Sequence, residues 1–345
     1  MKNTLEALVA MLAISTTGCA AAKTNLDSNH PTSLATGENS SDGKYDSVDD
    51  LLNPEDVRQL ADAHYMIISE SVYKDSDGKE TTLHSLGTAV LYKDIGSRSY
   101  FATANHVVHN EEVLFSFFKG EFKKVSEQFY ILDNDQLEIL HGIMHKLAES
   151  KKEQGTTQEF YVNDLLGNKK NLSNYMIHTS SEMASILNIL KPKKIQAVAQ
   201  NEKKDLAIIS APKLRHRPLS YSIGNSNDLE RQNLLLVVGF PDGLFKNVTR
   251  GYVTSVNDSK LTSDDPKDAF IFDASISPGN SGGGIFAVRD GKLELVGITS
   301  AMYLGANDLY VGVKINGVSE VFKGNRISCE EGWKCNLSLP YELKL

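Results

Sequence analysis

Ser277-Pro278-Gly279-Asn280-Ser281-Gly282-Gly283-Gly284 packs the hydroxyl side chain of Ser281 between glycines. With Ser281 as a nucleophile, the N–H groups of Gly279 and Ser281 would face the developing negative charge of a tetrahedral intermediate. The glycines would supply backbone conformations that a Cβ forbids. A glycine-rich hairpin turn accounts for the stretch equally well when it is read alone. The same G-x-S-x-G pattern also describes the nucleophile elbow of α/β-hydrolases.

Chain order separates the two enzyme readings. An elbow enzyme needs its histidine after the serine, and the last histidine of this chain is His216, upstream of Ser281. That excludes the elbow. The order His, Asp, Ser stays open, with both partners in apolar, strand-like settings: Tyr100-Phe101-Ala102-Thr103-Ala104-Asn105-His106-Val107-Val108 and Asp205-Leu206-Ala207-Ile208-Ile209.

Thr103-Ala104-Asn105-His106-Val107, Asp205-Leu206-Ala207 and Ser277 to Gly283 together resemble the three signatures of trypsin-like serine proteases, in particular their bacterial HtrA branch. The similarity covers roughly residues 80–120 and 194–322. It implies a mostly β chain of two six-stranded antiparallel barrels, chymotrypsin-like, with His106 and Asp205 from the first barrel and Ser281 from the second. It also implies an oxyanion hole at Gly279 and Ser281. The primary pocket would have Ser275 at its base and Ser300, Ala301, Met302, Val311 and Val313 as walls, with no carboxylate to receive a basic side chain. Ser300 would also hydrogen-bond Asp205. Asn105 stands where the family usually has alanine, and this leaves the triad untouched. Asn280 replaces the aspartate that pairs with a newly cut N-terminus in the digestive enzymes, so activation by trimming is not expected.

In such a site Ser281 needs a base to take its proton as it attacks. Imidazole titrates near neutral pH, which suits His106 to that task. Asp205 would orient the ring and stabilise the imidazolium. The bland readings, a core histidine beside a strand and a turn aspartate, are each adequate alone but not jointly with Ser281. The expected function is therefore an exported serine endopeptidase acting through an acyl-enzyme. A non-catalytic peptide-binding module and an esterase with the same triad are the alternatives. No cofactor or metal is called for, and the substrates would be proteins or peptides.

Composition agrees with a globular chain: 345 residues, 41% hydrophobic, and a formal net charge of −8. The acidic balance argues against nucleic acid as a long-range partner. Residues 1–19 read as an export signal, with Lys2 as a thin n-region and Ala7 to Ile14 as an apolar stretch too short to span a bilayer. Gly18-Cys19 resembles a lipoprotein cleavage junction, which would lipidate Cys19 and tether the chain to a membrane of the bacterial envelope. Thr16 and Glu6 depart from that pattern. Export predicts a periplasmic, membrane-anchored or secreted protein, and the pair Cys329 and Cys335 near the C-terminus reads as a small disulfide loop.

Residues 20–52 are rich in Ser, Thr, Asn, Asp and Gly and read as a flexible tether. A protease domain is expected over 53–325 and a tail over 326–345, too short for the PDZ domain common in HtrA proteases. Asn53-Pro54-Glu55 predicts a helix over 54–63. Strands are predicted at His84–Tyr92, Ser99–Ala104, Val113–Phe118, Ile195–Ala199 and Leu206–Ser210. The second half adds Leu234–Phe240, Val248–Val256, Phe270–Ser275, Gly284–Val288, Leu293–Ser300 and Leu309–Ile315. Between about 121 and 193 the pattern turns helical. One amphipathic face carries Leu137, Leu140, Met144 and Leu147, and a capping box at Thr179–Glu182 opens onto Met183, Ile186, Leu187 and Leu190. This insertion in the first barrel reads as a decoration or a surface for a partner of unknown kind. His141 and His145 share a helix face at metal-ligand spacing, but a solvent-facing pair is the simpler account.

Overall fold

The computed structural model describes residues 43–46, 54–110, 112–116, 120–142, 186–216, 218–243, 245–256, 268–302, 308–323, 326–329 and 332–336. Proline at the first helical position, followed by Glu55 and Asp56, starts α1 (Pro54–Asp62) with acids at its positive end. The first barrel follows as β1 (His64–Lys74), β2 (Glu80–Ile95), β3 (Arg98–Thr103), β4 (Val113–Ser116), β5 (Gly120–Leu132), β6 (Lys193–Asn201) and β7 (Leu206–Pro212). Antiparallel pairing in the order β6-β7-β3-β2-β1-β5 closes when β5 pairs back onto β6, leaving β4 beside β5.

The second barrel comprises β8 (Tyr221–Ile223), β9 (Leu234–Gly239), β10 (Asn247–Ser255), β11 (Ala269–Phe272), β12 (Gly284–Arg289), β13 (Lys292–Met302) and β14 (Tyr310–Lys314). Strands in the order β12-β9-β10-β11-β14-β13 close through β12–β13, and β8 adds in parallel to β13. Two closed six-stranded antiparallel barrels result, as the resemblance implies. After α2 (Asn316–Val321) come β15 (Phe322–Lys323), β16 (Arg326–Ile327) and β17 (Lys334–Cys335). The last pairs with Gln200 and Ala199 of β6. Cys329 and Cys335 lie at disulfide distance, with Cα atoms 6.1 Å apart, and hold the tail against the first barrel.

Alternation along β9 explains how the barrels meet. Leu234, Leu236 and Val238 face the core shared with the first barrel, whereas Leu235 and Val237 fill the second barrel. Both faces of the strand are thus dry, and its sequence is correspondingly apolar throughout.

The insertion is shorter than the sequence pattern suggests, because residues 121–132, assigned to its start, belong to β5. Glu121, Lys123, Lys124 and Glu127 give that strand a charged half at the barrel rim, which hides its strand character. Lys124 meets Glu112 at 2.9 Å and Glu127 at 3.3 Å there. Helical backbone covers 134–142 and 186–190 of the described insertion. Asp133 and Gln136 form a reciprocal capping box, each accepting the other's N–H at 3.0 Å, and Gln136 Nε2 donates to Leu190 O at 3.0 Å. Leu137, Leu140, Ile186, Leu187 and Leu190 bury against Met66, Ile68, Leu132 and Phe240, each burial contributing roughly 2 kcal/mol. Met144, Leu147, His145, Met183 and the Thr179–Glu182 box lie outside the described residues, as do the export segment and Cys19.

Residues 43–46, inside the stretch read as a tether, lie along the second barrel. Tyr45 is buried there, its hydroxyl donating to Glu294 Oε2 at 2.8 Å and its ring lying 4.1 Å from the Arg289 guanidinium.

His64, at the start of β1, joins the barrels from inside. Its Nδ1 lies 2.6 Å from Leu60 O, and its Nε2 accepts the Gly284 N–H at 3.1 Å. These partners require the neutral ring with its proton on Nδ1. Burial, aided by the charge of Lys246, pushes its pKa down to about 3 although the Leu60 bond favours the proton. Between that value and the ordinary imidazole pKa of about 6.5 the unfolded chain binds one proton more than the native one. Stability therefore falls as pH falls through this window, by up to about 1.4 kcal/mol per pH unit from this group. Urea unfolding from pH 7 to pH 4.5 should show the loss. His64→Gln, which can keep both hydrogen bonds without titrating, should show a shallower one. Equal slopes would show that His64 does not drive it.

Candidate active site

Three segments converge where the barrels touch. β3 ends at Thr103, and the chain enters a 3-10 turn over Asn105–Val107 that presents His106. β2 must come close to that turn. A Cβ on Gly87 would lie 2.5 Å from Val107 Cγ1 and 3.3 Å from the Ser281 carbonyl, so only glycine lets the strand approach. Asp205 closes the turn before β7 with φ 49°, a left-handed conformation that aspartate tolerates better than most residues.

The Asp205 carboxylate gathers three donors. It accepts the His106 backbone N–H at 3.0 Å, lies 2.9 Å from His106 Nδ1, and accepts the Ser300 hydroxyl at 2.5 Å. An acceptor at Nδ1 places the ring proton there and leaves Nε2 as the basic nitrogen. Ser300 reaches inward because the β13–β14 register shifts between Thr299 and Ala301, which leaves it bulged and unpaired in the ladder. Burial presses the His106 pKa down, but the hydrogen bond and negative charge of Asp205 outweigh it and hold the imidazole above its ordinary value. Burial likewise disfavours the Asp205 carboxylate, but its bonds to His106 and Ser300 hold the pKa below the usual range.

Ser281 sits in a turn whose glycines Gly279 and Gly282 have φ of 94° and 86°. At Gly282 a Cβ would lie 2.0 Å from Thr88 O, so the turn can press onto β2 only as glycine. Ser281 Oγ donates to the Ser300 carbonyl at 3.3 Å, and among the described residues no hydrogen bond joins it to His106. Ser300 thus touches Asp205 through its hydroxyl and Ser281 through its carbonyl. Among the described residues neither the Gly279 nor the Ser281 N–H has a protein acceptor. The arrangement can present two amides to an anion and a base one bond from a carboxylate.

The residues assigned to the specificity pocket are dispersed in exposure. Ser275 and Met302 are exposed, Ser300 and Ala301 half-buried, and Val311 and Val313 buried. Ala301 pairs with Val311 across β13 and β14. Val311 packs with Ala269 and Ile271, whereas Val313 joins the core shared by the barrels. Asn280 is buried beside Gly239, whose added Cβ would fall 2.5 Å from Asn280 Oδ1. Thr88, buried beneath the turn, escaped the sequence reading. The signal was the glycine before it, unexpected inside an apolar strand.

The chain belongs to the trypsin-like peptidase domain family, which it matches over residues 87–298. It is 34% identical over 130 residues to "Serine protease HtrA-like" of Staphylococcus aureus, an alignment covering 34% of this chain and 16% of that protein. It is 33% identical over 117 residues to "Probable periplasmic serine endoprotease DegP-like" of Chlamydia pneumoniae, covering 34% of this chain and 22% of that one. The chain thus spans about a fifth of the length of these relatives. Among solved structures, the HtrA-type protease AlgW with a decapeptide has 19% identity and a TM-score of 0.46, covering 77% of this chain and 65% of that one.

Proposed function

We propose that this protein is a serine endopeptidase of the HtrA type that hydrolyses peptide bonds through Ser281, His106 and Asp205. The observation that carries the reading is the run of contacts from the His106 imidazole to Asp205, on to Ser300 and back to Ser281, beside two amides that have no acceptor among the described residues. As Ser281 Oγ bonds to the substrate carbonyl carbon, its proton passes to His106 Nε2. The carbonyl oxygen becomes an oxyanion facing the Gly279 and Ser281 N–H groups. Collapse breaks the C–N bond, and His106 returns the proton to the leaving amine. Water, deprotonated by the same nitrogen, then releases the acyl group and restores the serine.

Ser275, Ser300, Ala301, Met302, Val311 and Val313 form the primary pocket in this reading. With no carboxylate among them, a bound lysine or arginine would stay unpaired at a cost of several kcal/mol. Cleavage therefore follows small or medium apolar side chains, with shallow discrimination among them. The signal-like N-terminus, the paired cysteines and the periplasmic DegP-like relative support export to the bacterial envelope or beyond, with Cys19 as the lipid-bearing residue. No helix among the described residues is long and apolar enough to cross a membrane.

A fluorophosphonate probe should form an adduct on Ser281. Cleavage profiling of a denatured proteome should find cuts after apolar residues. No adduct and no cleavage would favour the peptide-binding module, and an adduct with turnover of short esters alone would favour an esterase. Dominant cutting after arginine or lysine would show that a carboxylate reaches the pocket from elsewhere.

A further inference from the structure

Thr88 lies on β2, in the first barrel, yet its polar groups are directed at the serine turn of the second. Its hydroxyl donates to Gly279 O at 2.7 Å and accepts the Phe240 N–H at 3.1 Å. Its own N–H donates to Ser281 O at 2.8 Å, and its carbonyl accepts the Thr103 hydroxyl at 2.7 Å. Every hydrogen-bonding group of this fully buried side chain and its backbone is engaged.

The carbonyls of Gly279, Asn280 and Ser281 are all held, two of them by Thr88. Thr88 Oγ1 takes the first, the Gly283 N–H takes the second at 2.9 Å, and the Thr88 N–H takes the third. In a trans peptide the C=O and the following N–H point in opposite directions, so fixing the Asn280 carbonyl aims the Ser281 N–H. Gly279 has no side chain to pack, and its φ of 94° lies where glycine rotates at little cost. The Thr88 hydroxyl on Gly279 O and the Ser277 carbonyl on the Asn280 N–H hold the peptide after Gly279, which fixes the Gly279 Cα and leaves its N–H, in the preceding peptide, only the rotation about φ.

We propose that Thr88 is a positioning residue for the transition state: its hydroxyl anchors Gly279 by holding the peptide that follows it, so that the Gly279 N–H keeps its aim at the oxyanion beside the Ser281 amide. The inference rests on the assignment of Ser281 as nucleophile. Thr88 touches no reacting atom, and its action is to remove the reorganisation the turn would otherwise undergo during reaction.

The test uses the full chain with Thr88→Val, Thr88→Cys and Thr88→Ser, reading kcat, KM and inhibition by a peptide boronic acid of the substrate sequence. Thr88→Val keeps the shape and deletes the hydroxyl. It should lower kcat by about 100-fold and weaken the boronate by a similar factor, with KM nearly unchanged. Thr88→Ser restores the donor and should recover most of the rate. Thr88→Cys, a weak donor, should fall between them and decides the question if the valine variant does not fold. A folded Thr88→Val or Thr88→Cys protein with wild-type kcat would overturn the proposal. So would a loss confined to KM, or one that Thr88→Ser shares in full. Failure of the underlying assignment looks different: Ser281→Ala would itself still hydrolyse peptides.

Discussion

Ser281→Ala is expected to lower peptide hydrolysis by at least about 10⁴-fold while the protein stays folded. The substitution removes one oxygen from a half-buried side chain whose hydrogen bond, to Ser300 O, is a long 3.3 Å. Stability should therefore change by no more than about 1 kcal/mol. His106→Ala should be nearly as severe, and the double variant scarcely worse than either, because the two groups move one proton together. Single-turnover hydrolysis of a peptide, with urea unfolding of the same samples, separates lost chemistry from lost fold. A folded Ser281→Ala protein cleaving at the wild-type rate would remove Ser281 from the reaction.

Asp205→Asn should cost about 10⁴-fold in kcat, and it is the cleaner probe of the base. Asparagine tolerates the left-handed φ of 49° at this position, so the turn should survive. What changes is the partner of His106 Nδ1. An amide that offers N–H to that nitrogen drives the ring proton to Nε2, where it blocks the base. The pH profile should move as well. In the native protein the bond and charge of Asp205 outweigh burial and raise the His106 pKa, so activity, which needs the free base, rises with pH through a value above that of a free imidazole. Without the carboxylate only burial remains, and the residual activity should rise through a lower pH. A limb of kcat/KM that stays in place would show that His106 is not the titrating base, or that Asp205 does not act on it.

Much of this was legible in the chain. All six runs expected for the second half are barrel strands, because each alternates or fills both faces over a short, turn-bounded length. β1 escaped notice for the opposite reason. Tyr65 and Ile67 face the barrel core while Met66 and Ile68 face the insertion, so no alternation marks the strand and its outer cover lies far along the sequence. β5 was hidden by the charges on its rim half. At the candidate site, His106, Asp205 and Ser281 stand out because their chemistry is local to short motifs. Thr88 and His64 act through hydrogen bonds to Gly279, Ser281 and Gly284, each well over 150 positions away, and nothing near them in sequence discloses such partners.

The helical insertion has a consequence for what counts as removable in this protein. By connectivity it is a hairpin loop, since Ile131 of β5 pairs directly with Lys193 of β6 and the two strands could be joined by a tight turn. By burial it is a wall, covering Met66 and Ile68 of one barrel and Phe240 of the loop leading from the other. A chain trimmed to its bare barrels would turn those side chains to water and carry a new adhesive face. Modularity read from where a segment joins the chain and modularity read from what it touches give opposite answers here, and engineering of this protein has to follow the second.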